Sequence, residues 1–217
     1  MQLDYKHTYR KNLPHIQPPG AILFVTFRLA GTLPQHIAEE LRQQAEQMER
    51  QIKQTADPQH RHKLLYEEQK RQFGRYDAIL DSCDHGPTWL AQTEIAQVVQ
   101  SSLHFLNDDS NHKMYDLDVY SIMGNHGHVV FTPLQDREKD SYIALSRIMH
   151  SLKGFTATEA NKLLQRRGQF WQHESYDHIV RDEAELNRIR RYILQNPVKV
   201  GLVENEEDWP YSWAKWL

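Results

Sequence analysis

Tyr115-Asp-Leu-Asp-Val-Tyr-Ser-Ile-Met123, then Gly124-Asn125, then His126-Gly-His-Val-Val-Phe-Thr132 is the stretch on which the fold turns. Two β-like runs separated by a Gly-Asn pair read as an antiparallel hairpin with a tight turn. Upstream, Ala21-Ile-Leu-Phe-Val-Thr-Phe-Arg28 is rich in β-branched and aromatic residues and is entered by Pro18-Pro19-Gly20. It reads as a buried, central strand. A further short strand is expected from Tyr176 to Val180. Between Pro34 and Thr55 the residues Ile37, Leu41, Ala45, Met48 and Ile52 recur at spacings of three and four, which predicts an amphipathic helix. The polar segment from Pro58 to Leu80 reads as its partner in a helical hairpin, closed by the loop Asp84-His85-Gly86-Pro87. This hairpin, at about 34–82, looks like an insertion in a single domain spanning 1–217.

Three more helices are expected. Glu94 to Phe105 turns Ile95, Val98, Val99 and Leu103 inward, and Asp140 to Leu164 has Ile143, Leu145, Ile148, Leu152 and Phe155 on its apolar side. The last runs from Asp182 to about Gln195, stopped by Asn196-Pro197. The order strand, helices, hairpin, helix, short strand, helix points to an α+β fold, an antiparallel sheet with helices packed on one face.

The 217-residue length suits one domain carrying one sizeable insertion. With 39% hydrophobic and 25% charged residues the chain falls in the soluble globular range, and no apolar run is long enough to span a bilayer. The opening MQLDYKHTYRKN has no apolar stretch after its charges, so no secretory signal is expected. The single cysteine, Cys83, excludes an internal disulfide and a cysteine-based zinc site. A cytoplasmic location and no membrane association are the expectations. The formal net charge of −3 provides no general attraction for nucleic acid, so any DNA site must be local.

His126 and His128 lie two apart on a predicted strand and therefore leave the same face of the sheet. Side-by-side neutral imidazoles can share one divalent cation. His60-Arg61-His62 has the same spacing, but it falls in a helical segment where positions two apart do not face each other. Tyr192 lies near the end of the last helix. Asn196, four residues on, shares its face, and Arg188, Arg190 and Arg191 put guanidinium groups close to it, which suits phosphate. From Arg147 to Arg167 five basic residues, Arg147, Lys153, Lys162, Arg166 and Arg167, stand against Glu159 alone. That segment is the candidate backbone-phosphate surface, or equally a solvated helix face. Phe170, Trp171, Tyr176, Trp209, Tyr211 and Trp213 could stack unpaired bases, although most such aromatics serve in packing.

Several of these stretches occur together in a known pattern. Tyr9-Arg-Lys-Asn-Leu-Pro-His15, Phe24-Val-Thr-Phe-Arg-Leu-Ala30, Met123-Gly-Asn-His-Gly-His128, Phe170-Trp-Gln172, Tyr176-Asp-His-Ile-Val-Arg-Asp182, Arg191-Tyr-Ile-Leu-Gln-Asn-Pro-Val-Lys199 and Asp208-Trp-Pro-Tyr-Ser212 resemble the REP-associated tyrosine transposases. These form part of the single-tyrosine branch of the HUH nucleases. The resemblance implies a ferredoxin-like sheet, with Mg²⁺ or Mn²⁺ held by His126 and His128 and with Asn196 as a third ligand. It also implies that Tyr192 attacks single-stranded or hairpin DNA to give a 5′-phosphotyrosine, and that related transposases act as dimers.

Two positions depart from the family pattern, Gly124 for the usual proline and Gly127 for a bulky apolar residue between the histidines. Glycine packs nothing beneath a strand, so a loosened histidine pair is expected. Two rival readings follow. One is a domesticated protein that binds DNA hairpins and cleaves weakly or not at all; the other is a metal-dependent phosphodiester hydrolase in which Tyr192 is structural.

Overall fold

The computed structural model describes residues 9–10, 14–15, 18, 20–108, 111–136 and 141–217, and their side chains except at 9, 10, 14, 15 and 62. Lys11 to Leu13 of the first family-like stretch, Asp140 at the expected start of a helix, and the opening eight residues fall outside this set. The chain divides into two compact units, Met1–Leu29 with Thr88–Leu217, and Ala30–Pro87.

The first unit holds the sheet. A two-residue pair, β1 (Tyr9–Arg10) with β2 (Pro14–His15), precedes β3 (Leu23–Arg28), and after the second unit come α3 (Thr93–Asp108), β4 (Tyr115–Ile122) and β5 (His126–Pro133). They are followed by α4 (Leu145–Leu163), β6 (Tyr176–Ile179), α5 (Glu183–Lys199) and β7 (Ser212–Ala214). Five strands pair antiparallel in the order β6-β3-β5-β4-β7. The expected α+β antiparallel sheet is therefore present, with β3 internal and β5 at its centre.

Register decides which side chains meet. His128 lies opposite Thr26 on β3 and Ser121 on β4, while Gly127 lies opposite Phe27 and Ile122. Because alternate residues face opposite sides, the sheet has two distinct faces. Phe27, Leu117, Ile122, Val129 and Phe131 join α3 and α4 in one core with Ile95, Val99, Leu103, Ile148 and Leu152. This is the helix-covered face that the periodicity predicts. The histidine face carries α5, as the contacts of Asn196 and Tyr192 with His128 establish, so helices cover both faces of the sheet rather than the one expected.

Several boundaries differ from the sequence expectation. The Gly-Asn turn does not: Ile122 pairs with Gly127 and Met123 N–H donates to the His126 carbonyl at 2.8 Å, which leaves Gly124 and Asn125 as the two-residue loop. α4 begins at Leu145 because Tyr142 is held extended, bridged to Gln135. α5 does not stop at Asn196-Pro197 but runs on to Lys199 with Pro197 inside it. A proline in the final turn forfeits one backbone hydrogen bond without breaking the turns before it. β7 was not predicted at all: three residues are too few to show a period.

Gly127 does not leave a void. A Cβ built there would stand 2.7 Å from Phe27 Cζ, so the ring from the neighbouring strand occupies the space beneath the histidines. Phe27 is 1% exposed and meets Trp171 edge-on at 5.1 Å between ring centres. Burial on that scale contributes about 1.5–3 kcal/mol. The space beneath the histidines is thus filled from β3 rather than by the residue between them. Gly127→Val is expected to destabilise the fold by about 1–3 kcal/mol through overpacking, read as a lower thermal midpoint. An unchanged or raised midpoint would show that Phe27 does not fill this space.

The second unit contains α1 (Gln35–Lys53) and α2 (Pro58–Asp81), the helical hairpin expected after the first long strand. Asp57 caps α2 by accepting from the N–H groups of Gln59 and His60, with Pro58 at the first helical position. Arg75 donates to Gln44 across the pair at 3.0 Å. His60 is helical, as expected for a motif given no metal role. Among the described residues no helix is long and apolar enough to cross a membrane.

Candidate active site

β5 begins at His126, so its first and third residues project side by side onto the α5 face. Their Nε2 atoms are 3.1 Å apart. His126, His128, Thr26, Asn125 and Asn196 are all at 0% exposure. His126 Nδ1 lies 2.6 Å from Asn125 Oδ1, and with the amide oxygen turned to it Nδ1 is the donor. His128 Nε2 lies 3.0 Å from Asn196 Nδ2, an N–H donor, so that ring nitrogen accepts, and its Nδ1 donates to Thr26 Oγ1 at 2.8 Å. With a cation bound, these partners at Nδ1 would leave both Nε2 lone pairs turned into the same space. Burial, helped by the Lys199 charge, pushes the His126 pKa down to about 3. Burial, then the charges of His126 and Lys199, holds His128 well below its ordinary value. Neutral imidazoles with converging lone pairs and oriented N–H groups are a donor set that fits a divalent cation.

The second-row partners are not obvious from the sequence. Asn125 sits where a turn residue is expected, and its side chain is turned inward onto His126. Thr26 is a hydroxyl in an otherwise apolar run, and its signal is parity: register places it opposite His128. Thr26→Val keeps the shape and removes the acceptor for the His128 Nδ1–H. It is expected to lower the thermal midpoint by an amount equivalent to about 1–3 kcal/mol, the cost of an unsatisfied buried donor. Mn²⁺ affinity measured by titration calorimetry should fall roughly 10–100-fold.

α5 brings the tyrosine. Asp182 caps the helix by accepting from Glu185 N–H at 2.7 Å, and Glu185 in turn meets His178 of β6 at 3.1 Å, both ends largely buried. At the other side Arg190 grips Asp118 of β4 with Nε 2.7 Å from Oδ1, where a register shift interrupts the strand. With the helix held at two points, Tyr192 is half-buried. Its ring lies 5.5 Å from that of His128 and 6.4 Å, edge-on, from Phe24.

The sequence-predicted residues thus separate into groups. The structure brings together His126, His128, Asn196 and Tyr192. Asn196 donates to His128 here, and a half-turn of the same amide presents its oxygen instead. Arg190 is engaged by Asp118, and its guanidinium also lies 4.6 Å from the Trp216 ring centre. Lys153 directs its ammonium at the carbonyls of Gln172 (2.8 Å) and His173 (3.2 Å) and the Ser175 hydroxyl (2.7 Å), fastening the segment before β6. Burial, with the Arg28 charge, pushes the Lys153 pKa down to about 7. Arg166 covers the Trp89 ring at 4.1 Å, and Arg147 pairs with Asp136 at 2.9 Å. Arg167, Arg188 and Arg191 are exposed. Phe170 and Trp171 are buried in the core rather than offered for stacking.

The family described as IS200-like transposases matches residues 88–196. A Haemophilus influenzae protein (strain ATCC 51907 / DSM 11121 / KW20 / Rd) described as a REP-associated tyrosine transposase is 31% identical over 109 residues, 46% of this chain. The match takes in 60% of that relative's length, less than two thirds of it. Among solved structures, a REP-associated tyrosine transposase bound to a REP hairpin matches 94% of this chain and 80% of its own, with a TM-score of 0.51 and 16% identity. At that identity the likeness is one of fold. The family match, by contrast, runs over half of the chain, from the start of the α3 region through the histidine hairpin to Asn196, and this protein accordingly belongs to the IS200-like transposase family.

Proposed function

We propose that this protein cuts and rejoins single-stranded DNA beside hairpins of the REP type, with Tyr192 as nucleophile and with His126, His128 and Asn196 holding Mg²⁺ or Mn²⁺. The reading is supported above all by the paired Nε2 atoms 3.1 Å apart, with the Tyr192 ring on the same face of the sheet. The hairpin substrate is taken from the solved structure that shares this fold, which carries a REP hairpin.

A bound divalent cation would supply Lewis-acid polarisation of the scissile phosphate. The chain does the rest. Asn125 and Thr26 hold the two imidazole rings through their Nδ1 atoms. Tyr192 Oη forms a bond to phosphorus as the bond to the 3′ oxygen breaks, and the phenol proton ends on that oxygen. The products are a 5′-phosphotyrosine and a 3′-hydroxyl. Attack by a 3′-hydroxyl on the tyrosine ester reverses the step, so rejoining needs no external energy source.

The test is incubation with a labelled stem–loop DNA library whose unpaired flanks are randomised, in the presence of Mn²⁺, followed by a denaturing gel. A denaturation-resistant protein–DNA band is expected. Stem–loop binding without such a band would favour the hairpin-binding reading, and cleavage without it the hydrolase.

A further inference from the structure

The continuation of α5 past Pro197 places Tyr192, Asn196 and Lys199 at i, i+4 and i+7, one stripe of the helix. Two contacts fix where that stripe faces: the Asn196 amide meets His128 Nε2, and the Tyr192 ring meets the His128 ring. Lys199 Nζ lies 5.9 Å from the centre of the Tyr192 ring. Its charge is also felt by both His126 and His128. Lys199 is exposed, Tyr192 half-buried and the histidines fully buried. The ammonium therefore stands on the open side of the buried histidine pair.

A phosphodiester presented to this pair carries a negative charge, spread over its non-bridging oxygens during transfer, and the neutral imidazoles offset none of it. We propose that Lys199 is a further catalytic group of this site, its ammonium contacting a non-bridging oxygen of the scissile phosphate while Tyr192 attacks. The proposal rests on the reading of Tyr192 as nucleophile. In that step the bond from Tyr192 Oη to phosphorus forms, the bond to the 3′ oxygen breaks and takes up the phenol proton, and Lys199 keeps its own protons. A point charge on a flexible four-carbon stem can follow the phosphate as its geometry changes. A lysine in the last turn also suits the helix dipole, but that role concerns stability alone.

The experiment measures single-turnover adduct formation by the full chain with the randomised stem–loop library and Mn²⁺, at saturating DNA, for the wild-type protein, K199Q, K199R and Y192F. K199Q is expected to form adduct about 100-fold more slowly, the scale of losing one transition-state charge contact. Its stem–loop affinity and thermal midpoint should stay near those of the wild type, and K199R should recover most of the rate. The proposal is overturned by a K199Q rate within about twofold of wild type, by a loss that follows DNA affinity or folding, or by K199R no faster than K199Q. A wild-type adduct with K199Q unaffected removes Lys199 alone. No wild-type adduct sensitive to Y192F removes the nucleophile reading and Lys199 with it.

Discussion

Tyr192→Phe is expected to abolish the covalent protein–DNA adduct, lowering its rate of formation by at least about 1,000-fold, the scale seen when a nucleophile is deleted. The substitution removes one oxygen and leaves the ring where it packs, edge-on to Phe24 and against His128. Folding and stem–loop binding should therefore be retained, which separates loss of chemistry from loss of structure. Thermal melting and a gel-shift titration run beside the adduct assay check this. Persistence of the adduct in the phenylalanine variant would transfer the attack to another residue. Cleavage that persists without any adduct would make water the nucleophile.

The second large effect concerns the histidines. His126→Ala and His128→Ala each remove one of two converging ligands, and each is expected to weaken Mn²⁺ binding by about 100-fold or more, beyond the cost of an outer partner. Calorimetric titration reads this without any DNA present. A linked effect appears in stability. At a free Mn²⁺ concentration 100 times its dissociation constant, the wild-type protein gains about 2.7 kcal/mol, and the double alanine variant gains nothing. For a chain of this size that corresponds to a rise of roughly 5–10 °C in the wild-type midpoint. Equal shifts in both proteins would place the metal elsewhere.

Much of this site was legible in the sequence because strands and helices impose simple periods. The two-residue spacing of His126 and His128 put both on one face, and the four-residue spacing of Tyr192 and Asn196 did the same on α5. What joins the two elements is tertiary and left no periodic trace. The register of β3 against β5 is what brings Thr26 to His128, and a shift of one residue would have brought Phe27 instead. The packing around Gly127 is hidden for the same reason. Considered along its own strand it packs nothing, whereas across the sheet it is the space into which Phe27 fits. Asn125 and Pro197 looked like punctuation, a turn and a helix stop. In the fold Asn125 holds a histidine ring through its Nδ1, and Pro197 lets the helix carry Lys199 onto the stripe of Tyr192. The basic residues are a further case. Composition could count them, but only the side-chain partners reveal that Arg190 docks a helix and Lys153 anchors a loop.

The most direct measurement is mass spectrometry of proteolytic peptides from the gel-purified adduct after nuclease trimming of the DNA. The expected result is a nucleotide 5′-phosphate attached to the peptide containing Tyr192, with fragment ions assigning it to that side chain. A nucleotide on any other residue, or an adduct attached through a 3′-phosphate, would contradict the account.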